Sequence, residues 1–181
     1  MLLEEILTFN EKFVDDKSYQ QYETDGIPNK KAVILTCMDT RLVELLPKAL
    51  NFKNGDVKII KTAGAFLTHP YGSVMRSILI AIHALKAKEV FVVAHHDCGM
   101  LNLDTGTLIE IMKSQGITDE DIEKLPVNPT DWLKGFTNVE DSVKASISII
   151  ENHLLLPKDT PVHGLVIDPH TGKLDLVSKG Y

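Results

Sequence analysis

The chain has 181 residues, of which 44% are hydrophobic and 24% are charged, and its formal net charge is −6. This length and composition predict one globular domain, residues 1–181, that is large enough to bury a proper core. The charge argues against a nucleic-acid partner, because phosphate binding needs clustered basic side chains and the 19 Lys and Arg residues are scattered along the chain.

The first residues do not resemble a targeting segment. Met1-Leu2-Leu3-Glu4-Glu5 carries acids where a secretory signal carries bases, and no apolar run approaches the roughly 20 residues that span a bilayer. We therefore expect a cytoplasmic protein with no membrane partner. In that compartment the two cysteines should stay reduced and available to a metal.

The chain begins with an amphipathic pattern. Residues 2–15 place Leu and Ile side chains at helical spacing among acidic and polar ones, which predicts a helix that stands apart from the rest of the fold. Its apolar stripe needs a cover. The polar segment 18–31, with Gly26 and Pro28, reads as a linker, so that residues 1–30 form an N-terminal helical arm and linker.

Apolar runs alternate with helical patterns through the rest of the chain. Strands are predicted at 32–36, 57–62, 89–94, 162–167 and 174–177, and helices at 41–50, 72–86 and 139–154. The more polar stretch 102–137 indicates short helices or a surface excursion. This order predicts an α/β fold, with a central, mainly parallel sheet of about four strands, a C-terminal edge strand and helices on both faces.

Both cysteines lie in two short motifs that directly follow predicted strands. Cys37 opens the run Cys37-Met38-Asp39-Thr40-Arg41, and the other run is His95-His96-Asp97-Cys98. Sites in open α/β sheets form beyond the carboxyl ends of neighbouring strands, so the two motifs can meet if the first and third strands are adjacent. Two thiolates and one imidazole are ligands that zinc takes, and three protein ligands leave a fourth position open. The sequence thus predicts a catalytic zinc held by Cys37, His95 and Cys98.

Two charged residues accompany the first cysteine. Cys37, Asp39 and Arg41 alternate, so that in extended chain all three side chains point the same way. A bidentate pair between Arg41 and Asp39 would keep the carboxylate ionised and oriented beside the metal. Because zinc lowers the pKa of its bound water to about 7, this arrangement predicts a hydrolytic or hydrating enzyme.

The ordered pair of motifs resembles the beta-class carbonic anhydrases. Cys37-x-Asp39-x-Arg41, His95-x-x-Cys98, the Ala63-Gly64 turn and the closing run 162–168 are similar to the small, compact branch of that family, and the resemblance covers nearly the whole chain. It implies Zn²⁺ on Cys37, His95 and Cys98, and reversible hydration of carbon dioxide to bicarbonate by zinc-bound hydroxide, with Asp39 and Arg41 as the catalytic dyad.

The resemblance also implies an off state and an assembly. In some members the aspartate leaves its arginine and binds zinc as a fourth ligand, so Asp39 is expected to ligate the metal in a closed state. Members are dimers or higher assemblies in which the N-terminal helix packs across the partner. We therefore expect a homodimer or a higher homo-oligomer.

Several positions depart from the family pattern and leave alternatives open. Thr62 stands where many members have asparagine, many have a further glycine or asparagine near Ala65, and His96 stands where threonine is common. Relatives with the same zinc ligands hydrolyse carbonyl sulfide or carbon disulfide, and a site closed permanently by Asp39 would make a non-catalytic zinc module. His96 could shuttle protons or point away into a hydrogen-bonded shell.

Overall fold

Five strands form one sheet in a computed structural model of the chain, which describes residues 1–181. The strands are β1 (Ala32–Cys37), β2 (Val57–Thr62), β3 (Glu89–His95), β4 (Val162–Ile167) and β5 (Leu174–Ser178). They lie in the order β2-β1-β3-β4-β5; β1 to β4 are parallel, and β5 runs antiparallel to β4 at the edge. The predicted α/β fold with a mainly parallel sheet is confirmed.

Seven α-helices and two short 3-10 helices connect the strands. The α-helices are α1 (Leu2–Asp15), α2 (Leu42–Ala49), α3 (Ser73–His83), α4 (Thr105–Ser114), α5 (Asp119–Glu123), α6 (Pro129–Trp132) and α7 (Val139–Glu151). The 3-10 helices span Ser18–Tyr22 and Ala63–Ala65. None of these helices is both long enough and apolar enough to cross a bilayer.

The centre of the sheet carries the core. All six residues of β1 are buried, and within it Val33 and Leu35 have no exposed surface. This explains the unbroken apolar run in the sequence, since a strand flanked by two others and covered on both faces has no polar side. The connection that follows β1 leads to β2, whereas the one that follows the neighbouring β3 leads to β4 on the other side, so the two leave in opposite directions and open a crevice between the carboxyl ends of β1 and β3.

Helix α7 lies close against β4 because a glycine makes room for it. A Cβ atom at Gly164 would lie 2.6 Å from Cγ1 of Val143 and 2.7 Å from Cδ1 of Ile147, both of which are buried on α7. Real Cβ contacts are longer than this. The glycine therefore fixes the helix against the central strands that carry the second motif.

Three parts of the chain differ from the predicted elements. The predicted linker contains a 3-10 helix at Ser18–Tyr22. The stretch 102–137 does not differ, since α4, α5 and α6 are the short helices that were among the expectations for it. Helix α3 ends at His83 rather than near residue 86, where Lys86 has a φ of +61° and turns the chain toward β3. Helix α7 ends at Glu151 rather than at 154, and the side chain of Asn152 donates to the carbonyl of Ser148 at 2.7 Å.

Helix α1 buries none of its residues within the single chain. Leu2, Leu3, Ile6 and Leu7 are each more than half exposed. The helix thus has the predicted bounds and the predicted uncovered stripe.

Candidate metal centre

Adjacent strand ends bring the predicted ligands together. Cys37 is the last residue of β1 and His95 the last of the neighbouring β3. The chain then turns through Asp97, whose φ is +55°, and this turn returns Cys98 to the same place. The two sulfur atoms and a ring nitrogen of His95 all lie within 4.8 Å of one another, and all three residues are buried.

One ring nitrogen of His95 has no protein partner. Nδ1 lies 2.7 Å from the carbonyl oxygen of His96, which fixes the ring and leaves Nε2 as the acceptor. Nε2 is buried without any hydrogen bond. A buried polar atom that lacks a partner is costly, so this nitrogen has the environment of a metal ligand.

The two thiols share their charge unequally. The neighbouring Cys98 thiol, with smaller contributions from His95 and from the backbone of Gly64, lowers the pKa of Cys37 against the opposing effect of burial. The nearby Cys37, together with burial, raises the pKa of Cys98. Two buried thiols within 4.8 Å of each other do not readily ionise together, and a cation beside them would allow both to ionise.

The donor set fits Zn²⁺. Two soft sulfurs and one imidazole nitrogen are typical zinc ligands, and three of them leave one tetrahedral position free. Asp39 is outside the group of atoms that lie within reach of one ion, although its Oδ2 is only 3.8 Å from Nε2 of His95. The cluster therefore suits a metal with an open fourth position.

Arg41 and Asp39 form the expected bidentate pair. Nε of Arg41 lies 3.0 and 3.2 Å from the two carboxylate oxygens of Asp39, and Nη2 lies 2.8 Å from Oδ2. The arginine lowers the pKa of Asp39 to about 2, and the carboxylate raises the pKa of Arg41 in return. Asp39 is thus ionised at neutral pH.

The backbone reason for this pair differs from the predicted one. The chain is not extended through Arg41, which has φ of −62° and ψ of −25° and precedes the first residue of α2. Its backbone N–H donates to Oδ1 of Asp39 at 2.8 Å. A tight turn, rather than strand alternation, therefore brings the two side chains together.

A pocket of about 480 Å³ opens on the cluster. The first motif, the 3-10 helix after β2 and Cys98 with the two residues that follow it line the pocket: Cys37, Met38, Asp39, Thr40, Arg41, Ala63, Gly64, Cys98, Gly99 and Met100. Gly64 donates its backbone N–H to the sulfur of Cys37 at 3.4 Å. A small substrate entering this pocket would meet the ligand cluster and the Asp39 carboxylate together.

The positions that depart from the expected family pattern lie in different places. The hydroxyl of Thr62 is buried with no hydrogen-bond partner, and Ala65 is buried with a φ of +59°. His96 points away from the cluster, since its Nε2 lies 3.4 Å from Oδ2 of Asp175 on β5. Of the two roles considered for His96, the structure thus favours the hydrogen-bonded shell.

One functional contact has no counterpart in the sequence analysis. Asp97 accepts from Arg41 through both its carboxylate and its backbone oxygen. The only signal for this contact in the sequence is the position of Asp97 between His95 and Cys98. Side chains next to a metal ligand often orient the site.

Comparison with known proteins agrees with this geometry. Residues 32–174 match the sequence profile of the carbonic anhydrase family. YtiB of Bacillus subtilis (strain 168), provisionally named a carbonic anhydrase, is 54% identical over 99% of this chain and 98% of its own. A carbon disulfide hydrolase of Acidianus sp. (strain A1-3) is 30% identical over 87% of this chain and 83% of its own.

A solved structure matches the whole fold. The crystal structure of beta-carbonic anhydrase isoform I from Trichomonas vaginalis superposes with a TM-score of 0.92 at 34% identity, and the match covers 100% of both chains. Both the sequence and the structure thus lead to the same group of proteins. The chain belongs to the carbonic anhydrase family, in its beta class.

Proposed function

We propose that the protein reversibly hydrates carbon dioxide to bicarbonate and a proton, with Zn²⁺ held by Cys37, His95 and Cys98. The observation that carries this proposal is the unpartnered Nε2 of His95 beside two buried thiols, and these thiols line a pocket together with the ion pair of Asp39 and Arg41. Metal ligands and an ionised carboxylate in one small pocket are what hydration of a small electrophile requires.

Each residue has a distinct part in this proposal. Zn²⁺ supplies Lewis acidity that lowers the pKa of a water molecule to about 7. The Gly64 N–H stabilises negative charge on the Cys37 sulfur. Asp39, held ionised by Arg41, offers a carboxylate oxygen within 3.8 Å of a ligand nitrogen and can accept a hydrogen bond from the reacting group.

The pairing of Asp39 supports an open site rather than a permanently closed one. Both carboxylate oxygens accept hydrogen bonds from Arg41, so the carboxylate is not free to act as a fourth ligand while this pair is intact. A closed state requires the pair to break. The proposed enzyme thus has an open arrangement in which Asp39 is a catalytic group, and a closed arrangement in which it would ligate the metal.

A stopped-flow assay of the zinc-loaded protein against carbon dioxide tests the proposal. The assay belongs at pH 8 or above, because a closed Asp39 would hide activity nearer neutrality. Asp39→Ala is expected to lose nearly all activity while it keeps its zinc. Asp175→Ala, which removes an acid on the edge strand β5 that forms no ion pair with Arg41, is the matched control. A zinc-loaded wild-type protein with no rate above buffer would refute the assignment.

A second substrate class is favoured by one relative. The Acidianus relative is named a carbon disulfide hydrolase. Carbonyl sulfide or carbon disulfide is the alternative substrate on the same zinc site. Sulfide release from the preparation used for carbon dioxide distinguishes the two, because each assay detects a different product.

We further propose that the protein assembles as a homodimer or a higher homo-oligomer in the cytoplasm. The largely exposed apolar stripe of α1 supports the assembly, since an uncovered stripe of this kind usually marks an interface. Two free cysteines support a reducing compartment. Sedimentation of Ile6→Glu tests the assembly: the variant is expected to be smaller than the wild type, with Glu4→Lys as the control for charge.

A further inference from the structure

Asp97 contacts the edge of the Arg41 guanidinium next to the edge that faces Asp39. Nη1 of Arg41 donates to Oδ2 of Asp97 at 2.9 Å, and Nη2 donates to the backbone oxygen of Asp97 at 3.0 Å. Nε and Nη2 of the same guanidinium donate to Asp39. One edge of the planar group thus faces Asp39, and the adjacent edge faces Asp97.

We propose that Asp97 is a positioning residue that holds Arg41 in place, so that Arg41 keeps both oxygens of Asp39 paired. The inference rests on the proposed hydration reaction, in which Asp39 acts beside the metal. Asp97 acts through Arg41 and does not touch the reacting atoms. It lies two residues after the ligand His95 and directly before the ligand Cys98, so this contact also ties the second motif to the first.

The geometry of the guanidinium explains the effect. Its donors are fixed in one plane, so Arg41 cannot rotate away from Asp39 without also breaking its two bonds to Asp97. When Arg41 does move, the Asp39 carboxylate loses its partners at a place only 3.8 Å from a ligand nitrogen. Asp97 therefore biases Asp39 toward its paired orientation and away from the metal position.

The backbone at Asp97 allows both contacts at once. Its φ of +55° is in the left-handed region, which Asp and Asn adopt more readily than most residues. In this conformation the carbonyl and the carboxylate reach the same guanidinium. Asn102, four residues after Cys98, also has a positive φ, +53°, but makes no side-chain contact with Arg41, so it provides a matched control for changes in backbone strain.

The expected effect is modest because the contact is partly in solvent. The Asp97 side chain is 76% exposed and that of Arg41 33%. Exposed ion pairs alter an equilibrium by about twofold to fivefold. The contact thus adjusts how often Arg41 holds Asp39, rather than whether the protein folds.

The first measurement is the exchange of the Arg41 Nε–H with water, followed by NMR in the zinc-loaded protein. Asp97→Gly keeps a residue that tolerates positive φ but removes the carboxylate, and it is expected to speed this exchange by about twofold to fivefold. Asn102→Gly is expected to leave the exchange unchanged. Asp97→Asn keeps a neutral acceptor oxygen, so its Arg41 Nε–H exchange rate is expected to lie between the rates of the wild type and of Asp97→Gly. If the glycine variant does not fold, the asparagine variant must still exchange faster than wild type.

The second measurement is a double-mutant cycle on kcat/KM for carbon dioxide. Asp97→Gly is expected to lower kcat/KM by about twofold to fivefold in the wild-type background and to have no effect in an Arg41→Ala background. An equal loss in both backgrounds would show that Asp97 acts without Arg41, and would overturn the proposal. Unchanged Nε–H exchange in both Asp97 variants would overturn it as well. A wild-type protein inactive on carbon dioxide would refute the proposed reaction, and the exchange rates would still decide whether Asp97 holds Arg41.

Discussion

Gly64 donates its backbone N–H to the sulfur of Cys37 at 3.4 Å, from a backbone with a φ of +82°. A Cβ atom at this position would lie 2.8 Å from Cδ1 of Phe66 and 3.0 Å from Cγ of Met100. Both the conformation and the space therefore require glycine. This one residue joins the end of β2 to the sulfur of Cys37.

Gly64→Ala is expected to destabilise the protein and to weaken zinc retention. Strain at positive φ together with the close contacts predicts a loss of about 1–3 kcal/mol in the free energy of unfolding. Urea denaturation of the zinc-free protein measures the first effect, and the rate of zinc release to a chelator measures the second. Gly99→Ala is the matched control in the same pocket, because a Cβ there would meet nothing within 4 Å. Equal stability of the two variants would contradict the prediction.

Cys37→Ser and Cys98→Ser are each expected to lose stoichiometric zinc. Replacing a thiolate by a hydroxyl removes a soft ligand from a site that has only three. Metal content after dialysis measures this directly. His96→Ala, next to a ligand but directed at Asp175, is expected to keep its zinc. Retention of one zinc per chain by both serine variants would rule out the assigned ligands.

Thr62→Val is expected to leave stability unchanged or to raise it by up to about 1 kcal/mol, because it removes a buried hydroxyl that has no partner. Thr36→Val is the contrasting variant, since its hydroxyl donates to the carbonyl of Val93 at 2.9 Å and is fully buried. That change is expected to cost about 1 kcal/mol. Thermal unfolding of both variants compares them. A large loss of stability in Thr62→Val would mean that the Thr62 hydroxyl makes a hydrogen bond in solution.

The turn between β4 and β5 should make stability depend on acid pH. Oδ1 of Asp168 accepts from the backbone N–H groups of His170 and Thr171 and from the Thr171 hydroxyl, and these bonds lower the pKa of Asp168. At pH values between the pKa of Asp168 in the folded chain and its pKa in the unfolded chain, the unfolded chain binds more protons than the folded one. The stabilisation is therefore present above the unfolded pKa and is lost as pH falls through the folded pKa.

Asp168→Asn isolates this contribution, because the amide keeps an acceptor oxygen but cannot titrate. The difference in unfolding free energy between wild type and variant is expected to shrink as pH falls from about 6 to about 3. Chemical denaturation at a series of pH values measures it. A difference that stays constant with pH would show that the carboxylate is not held in the folded turn.

The site was predictable from the sequence where chain order and strand geometry suffice. Two motifs that each follow an apolar run are expected at the same edge of a parallel sheet, so Cys37 and His95 could be paired on the condition that their strands are neighbours, and the structure meets this condition. The pair of Asp39 and Arg41 was also predicted, but through extended chain. The structure forms it through a turn, because the backbone N–H of Arg41 caps the carboxylate two residues earlier.

By itself, the sequence determined the candidate donor side chains, the alternation of strands and helices and the uncovered stripe of α1, because these follow from local pattern and covalent order. The tertiary structure decided the strand order that brings the candidate donors together. Only the tertiary structure decided which residues complete the site. Asp97 meets Arg41 across 56 positions of sequence, and Gly64 meets Cys37 across 27. Such contacts depend on the backbone conformation of turns at positive φ, which sets the direction of individual N–H, carbonyl and side-chain groups. The periodicity of side chains in the sequence carries no information about that direction.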